Sequence, residues 1–159
     1  ILRGIKRANY NTIVTIDADL QNNPNDIIKL YSKFIDNNKI KLVGGIRIKR
    51  KDNFIKIISS KIANKVRMLI LNDKCKDTGC SLKVFDRKIF LSFPYFDGMH
   101  RFLPALFNGF NFGTLFIEVD HRPRRFGISK YGTMDRLFRG IRDIIKVKRI
   151  IKSYLNNDK

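Results

Sequence analysis

The stretch that decides the fold is Thr12-Ile13-Val14-Thr15-Ile16-Asp17-Ala18-Asp19-Leu20-Gln21-Asn22-Asn23-Pro24. The apolar, β-branched run at its start predicts a buried strand over 12–16. That run ends in two carboxylates spaced i, i+2, then in a polar turn closed by proline. In open α/β sheets, ligands bind outside the carboxyl ends of strands. Two acids at such an end project into one crevice and can hold a hard divalent cation through oxygen ligands. A cation held there neutralises a diphosphate. Asp-x-Asp alone is equally the pattern of two surface acids. The strand before the pair and the helix-opening Asn-Asn-Pro after it point to a site instead.

Outward from this stretch, strands alternate with helices. Residues 1–9 read as helix. Pro24 is expected in the first turn of the next helix, with Asn22 or Asn23 as its cap. Ile27, Ile28, Tyr31, Phe34 and Ile35 follow with helical spacing. Leu42 to Ile48 reads as a strand containing Gly44-Gly45. Phe54, Ile57, Ile58, Ile62, Val66, Leu69 and Ile70 give one apolar face of a long helix. A short strand is predicted over 81–85 and a short helix over 86–91. A helix over 103–110 and a strand over 114–119 come next. Residues 120–133 form a basic, glycine-containing loop, and a last helix runs from 134 to about 155. The alternation predicts an α/β layered domain.

Composition sets the class of partner. The chain has 159 residues and a formal net charge of +19, from 33 Lys+Arg against 14 Asp+Glu. That excess calls for a polyanionic partner: nucleic acid, an anionic membrane or phosphorylated substrates. Part of it reflects lysine serving as the default surface residue in a chain rich in Lys, Ile and Asn. Cys75 and Cys80 are too few for a disulfide framework and lack metal-ligand spacing, so a reduced cytosolic setting is expected. His100 and His121 lie far apart and suggest no zinc site. No apolar run reaches the roughly 20 residues a membrane-spanning helix needs.

Two further segments carry chemistry. Asp77-Thr78-Gly79-Cys80-Ser81-Leu82-Lys83 is a small-residue turn with one acid and one base, leading into a strand. His121-Arg122-Pro123-Arg124-Arg125-Phe126-Gly127-Ile128-Ser129-Lys130-Tyr131-Gly132 interleaves cations with glycines and hydroxyls. Guanidinium forks match phosphate oxygens bidentately, and glycines let backbone approach an anion.

Asp17-Ala18-Asp19-Leu20-Gln21, Asp77-Thr78-Gly79-Cys80, His100-Arg101-Phe102-Leu103-Pro104-Ala105-Leu106 and His121-Arg122-Pro123-Arg124 through Gly132 occur in this order. Together they resemble a polyprenyl-phosphate glycosyltransferase of family 2, with a GT-A (Rossmann-like) fold. The resemblance runs over essentially the whole chain. Family members open with a strand, a Pro-x-x-Asn-Glu segment and an Asp-Asp-Gly-Ser turn, none of which is found here. The chain therefore corresponds to the C-terminal part of the catalytic domain over 1–133, with a basic amphipathic helix and tail over 134–159. The resemblance also raises a partner in the form of a missing N-terminal half.

The roles that follow are those the resemblance implies. Asp17 and Asp19 would bind Mg²⁺ or Mn²⁺ and, through it, the nucleotide-sugar donor, with Gln21 in the same shell. Asp19, Asp77 and Asp97 are the catalytic candidates. Arg47, Lys83, Arg122, Arg124, Ser129 and Lys130 would meet donor and lipid phosphates. Lys83 stands where arginine is common, which removes the bidentate fork at that position. The acceptor would be a polyprenyl (dolichyl or undecaprenyl) phosphate at the cytoplasmic face of the membrane.

The last helix fits that setting. Leu137, Phe138, Ile141, Ile144, Ile145 and Ile151 form an apolar stripe among Arg136, Arg139, Arg142, Lys146, Lys148, Arg149 and Lys152. A basic amphipathic helix suits an anionic membrane surface, and equally a helix packed on its own domain. The rival readings are an inactive remnant, one half of a split enzyme, or a basic nucleic-acid-binding module. The last is disfavoured because no nucleic-acid motif is present.

Overall fold

A computed structural model describes residues 1–48, 54–122 and 133–157 of the chain. In chain order it forms α1 (Leu2–Arg7), β1 (Thr12–Thr15), α2 (Asp26–Ile35), β2 (Ile40–Arg47) and α3 (Phe54–Leu71). Then come β3 (Lys83–Asp86), α4 (Arg87–Ser92), a 3₁₀ turn (Met99–Arg101), α5 (Leu103–Gly109), β4 (Gly113–Val119) and α6 (Thr133–Asn157). The expected α/β architecture is borne out.

Four strands form one mixed sheet in the order β1-β3-β2-β4. β3 runs antiparallel to both β1 and β2, while β4 runs parallel to β2. The carboxyl ends of β1, β2 and β4 therefore share one edge with the amino end of β3. Among the described residues, Asp17, Asp19, Gln21, Arg47, Asp77, Lys83 and Arg122 lie on that edge or on the loops next to it, whereas Asp97 lies between α4 and the 3₁₀ turn.

Strand alternation sends side chains to two cores. On one face Val43, Leu82, Val84 and Val119 pack with Leu30 of α2. On the other, Ile13, Leu42 and Phe85 meet α1, α4, α5 and α6 through a phenylalanine-rich cluster. Phe110 stacks on Tyr154 of α6 with ring centroids 3.9 Å apart. Val147 of α6 is fully buried, so this helix is docked on the domain. Gly45 permits a close approach, since a Cβ there would lie 2.9 Å from both Cys80 Sγ and Val119 Cγ2.

Two local expectations are corrected. Neither Asn22 nor Asn23 caps α2, and Pro24 lies before its first turn. The helix starts at Asp26 with Asn25 as N-cap and no side-chain cap bond. The Asn23 and Pro24 carbonyls instead receive the N–H groups of Asp26 and Ile27, at 3.0 Å each. Asn23 also closes this turn from its side chain, with Oδ1 accepting the Asn25 N–H at 3.2 Å, while Asn22 bonds elsewhere. The second correction concerns which face is inside. Leu30 is the buried centre of α2, whereas Ile28, Tyr31 and Ile35 are exposed. On α3, Ile58, Ile62, Val66, Leu69 and Ile70 are exposed, while Arg67 is buried.

Candidate active site

The β1–β3 ladder ends at Thr15↔Lys83. Beyond it Thr15 Oγ1 donates to the Ser81 carbonyl at 2.7 Å, and the Asp17 N–H donates to Ser81 Oγ at 3.1 Å. The chain then turns sharply, with Leu20 in the left-handed region at φ 63. Asp19 Oδ1 accepts the Gln21 N–H at 3.2 Å, an Asx-type closure. Asn22 is carried inward and donates from Nδ2 to Ser81 Oγ at 3.0 Å. Both acids are thereby delivered to the carboxyl edge of the sheet, with Asp17 exposed and Asp19 half-buried.

The same turn is stitched to the segment leaving β4. Arg122 N–H donates to the Gln21 carbonyl at 2.8 Å, and Asn22 forms an antiparallel bridge with His121. The Gln21 amide nitrogen lies 3.5 Å from His121 Nε2 and donates to the Arg122 carbonyl at 3.4 Å. Asp26, completely buried, pins the exit of β4 by accepting the Asp120 N–H at 2.9 Å while also bonding Lys29 at 2.6 Å. Arg122 therefore arrives beside Gln21. Arg124, Ser129 and Lys130 lie outside the described residues, as do the side chains of Arg136, Leu137, Phe138 and Arg139.

Arg47 and Asp77 meet each other. Arg47 Nε and Nη2 donate to the two carboxylate oxygens of Asp77 at 2.8 Å each, and the Arg47 N–H adds a third bond at 3.2 Å. Gly79 makes room for the fork, since a Cβ there would lie 2.8 Å from Arg47 Nη2. The loop carrying Asp77 is anchored from below. Buried Arg67 bonds the Asp73 carboxylate and the Cys75 carbonyl, and Asp73 accepts the Cys75 N–H.

Lys83 lies beneath these groups, buried, with its ammonium on the Cys80 and Thr78 carbonyls. Burial pushes its pKa down, opposed by the fields of Cys80, Cys75, Asp77 and Asp17. The fields of both the acidic turn and the Asp77 loop thus reach it. Burial raises both thiols, Cys75 to about 11, so neither is a thiolate at neutral pH. Asp97 is exposed, and its field reaches His100. Burial lowers His100, with Arg101 and Lys83 adding to the effect.

The structure brings Asp17, Asp19, Gln21 and Arg122 together, sets Arg47 on Asp77, and places Lys83 between the two groups. Ser81, Asn22, Asp26 and His121 form part of this scaffold without having been singled out. Their bonds join residues 59 to 100 positions apart, a distance at which no local pattern signals them.

Asp17 and Asp19 supply the hard oxygen donors Mg²⁺ or Mn²⁺ prefers. Among the described residues no group of three or more His, Cys, Asp or Glu gathers into a closed cage. The residues fit such an ion.

Comparison with known proteins gives the family and the fold. Residues 1–92 match the family model described as Glycosyl transferase family 2. The chain is 38% identical over 147 residues to the dodecaprenyl-phosphate galacturonate synthase of Rhizobium johnstonii, covering 91% of this chain and 43% of that protein. It is 33% identical over 134 residues to the undecaprenyl-phosphate 4-deoxy-4-formamido-L-arabinose transferase of Aeromonas hydrophila, covering 84% and 40%. The chain thus spans well under half the length of these relatives. Among solved structures, glucosyl-3-phosphoglycerate synthase of Mycobacterium tuberculosis with Mn²⁺, UDP-glucose and phosphoglyceric acid superposes with a TM-score of 0.61 at 16% identity, covering 94% of this chain and 52% of that one. The same enzyme with Mg²⁺ and UDP gives a TM-score of 0.60 at 16% identity, over 91% and 50%.

Proposed function

Because this chain belongs to glycosyl transferase family 2, we propose that it carries part of a site moving a sugar from a nucleotide-sugar to a polyprenyl phosphate. The observation that carries the reading is the Asp17–Asp19 turn, held at the carboxyl edge of the sheet and stitched to His121–Arg122. The names of the relatives support a polyprenyl-phosphate acceptor, and the metal-bound neighbours support a divalent cation.

The chemistry asks little of a general base. An oxygen of the lipid phosphate attacks the anomeric carbon from the face opposite the leaving group, so configuration inverts. The bond from that carbon to the diphosphate breaks and a nucleoside diphosphate departs. The phosphate monoester is already mostly ionised near neutral pH, so no proton must be removed. Charge builds on the leaving diphosphate. Asp17 and Asp19 would hold Mg²⁺ or Mn²⁺, which when bound supplies charge neutralisation there. Arg122, arriving beside Gln21, adds a guanidinium. Arg47, oriented by Asp77, faces the same edge from β2. Asp77 is assigned to the acceptor side, and Asp97 is the alternative base.

Docking at an anionic membrane surface follows from two adjacent helices. Ile141, Ile145 and Leu155 on α6 are exposed among Arg142, Lys146, Lys148, Arg149 and Lys152. α3, which packs on α6, exposes Ile58, Ile62, Val66 and Leu69 beside Lys61 and Lys65. Apolar stripes rimmed by cations are what an anionic lipid surface takes up. Among the described residues no helix is long and apolar enough to cross a membrane.

Among the described strands the β1 edge of the sheet is open. β1 is an edge strand with a single neighbour, and Val14 and Ile16 are 38% and 41% exposed. An open strand edge beside apolar surface invites further strands. The experiment is transfer of radiolabelled sugar from UDP-sugars to undecaprenyl phosphate in anionic vesicles with Mn²⁺. The chain is assayed alone and together with the polypeptide encoded immediately upstream. Transfer that Asp19→Ala abolishes without unfolding supports the reading, and full activity in that variant sinks it.

A further inference from the structure

We propose that Ser81 is a positioning residue for the acidic turn, with its hydroxyl standing where a ladder carbonyl would otherwise stand. The proposal rests on the function proposed above. The antiparallel register pairs Thr12 with Asp86 through Thr15 with Lys83. Continued two residues further, the same register sets Asp17 opposite Ser81. There the pairing changes character. The Ser81 carbonyl is taken by Thr15 Oγ1, and the Asp17 N–H goes to Ser81 Oγ. A hydroxyl stands on the side-chain side of its strand, off the plane of the ladder, so the chain leaves the sheet at this residue and not one earlier or later.

The same oxygen accepts Asn22 Nδ2. A hydroxyl has two acceptor lone pairs, and both are used. One atom therefore ties the two ends of the turn from 17 to 22, with Asp19 between them. Asn22 depends on this bond. It is 6% exposed, its Oδ1 has no partner, and the Ser81 contact is its one side-chain hydrogen bond among the described residues. Removing the hydroxyl would strand a buried amide and an edge N–H together, and either loss loosens the geometry in which Asp17 and Asp19 face one ion. Carboxylates binding a cation jointly are sensitive to displacements of this kind.

The test compares Ser81→Ala and Ser81→Thr in the full chain. The probe is Mn²⁺ with inorganic pyrophosphate, followed by electron paramagnetic resonance of the free ion. Pyrophosphate needs no nucleotide-binding strands. Hydrogen exchange of the Asp17 amide is measured in parallel without metal. Ser81→Ala is expected to weaken Mn²⁺–pyrophosphate binding about tenfold, the scale of one hydrogen bond's net contribution, and to speed Asp17 exchange. Ser81→Thr keeps the hydroxyl and keeps both properties near wild type. A remote core variant, Phe90→Leu, lowers Tm without moving the Mn²⁺ affinity, which separates positioning from general destabilisation. Wild-type affinity together with a protected Asp17 amide in Ser81→Ala overturns the proposal, as does equal impairment by Ala and Thr. If the wild-type chain binds no Mn²⁺–pyrophosphate, the proposed function falls, and the exchange arm still decides whether Ser81 holds Asp17. Should Ser81→Ala fail to fold, Ser81→Cys, close in size with a weaker acceptor, carries the same comparison.

Discussion

Truncating Asp77 to alanine tests whether it anchors Arg47. The carboxylate takes two guanidinium bonds of 2.8 Å and the Arg47 N–H at 3.2 Å. The two side chains are only 16% and 7% exposed, so water screens the pair poorly. Breaking a pair this buried by removing one partner costs about 3 kcal/mol or slightly more. For a domain of this size, about 3 kcal/mol lowers Tm by roughly 6–12 °C. Arg47→Met should cost less, because Asp77 keeps the backbone N–H and is not left with a lone buried cation. Combining the two removes charge and countercharge together, so the double variant should recover most of the loss. The assay is urea and thermal unfolding of the four proteins, read as a double-mutant cycle. A coupling toward the upper end of about 0.5–3 kcal/mol is expected, the range for residues in one salt-bridge network. Additivity within about 0.5 kcal/mol would refute the reasoning and return Asp77 to a purely chemical role.

Two further outcomes follow from the packing and the charges. Gly45→Ala pushes a methyl to 2.9 Å from Cys80 Sγ and Val119 Cγ2. Overpacking of this kind costs about 1–3 kcal/mol, read as a fall in urea midpoint, and an unchanged midpoint would show that β2 and the Cys80 loop can part. His100 is held below its ordinary 6.5. Between that lowered value and 6.5 the unfolded chain binds the extra proton, so acidification through this window costs stability. His100→Gln should flatten that slope in unfolding midpoints taken on either side of pH 6.5, and an unaltered slope would assign the pH dependence to another group.

Much of the fold was legible because its elements are written in local periodicity. The β-branched run at Thr12–Thr15, the long apolar spacing of α3 and the break at Gly113 are all short-range signals. The acidic turn was legible for the same reason, since a strand running into Asp-x-Asp and Asn-Asn-Pro is one continuous stretch. What stayed hidden depends on register. That Arg47 would be met by Asp77 follows only once β2 and the 72–80 loop share an edge. That Asn22 would turn inward follows only once Ser81 is its neighbour. Helical spacing showed that α2 and α3 each have an apolar stripe but not which way it faces. On α3 the buried polar anchor Arg67, bonded to Asp73 and Cys75, sits where a hydrophobic contact would be expected.

The charge arrangement gives a physical reason for a cation in a chain that is already strongly basic. Around the sheet edge three carboxylates, Asp17, Asp19 and Asp77, stand with three basic side chains, Arg47, Lys83 and Arg122. Arg47 is engaged by Asp77, and burial lowers Lys83, weakening its hold on a proton. The Asp17 carboxylate is exposed, with no hydrogen bond or ion pair among the described residues. Counting only the described residues, the basic and acidic side chains at this edge balance one another. A diphosphate would be poorly held there. A divalent ion on Asp17 and Asp19 tips that balance and leaves a positive site matched to the two charges of a sugar-linked diphosphate. It follows that raising the bulk positive charge, for instance by Glu118→Lys on β4, cannot replace the ion. Neutralising Asp17 as Asn should lose cation-dependent diphosphate binding even though the chain becomes more basic.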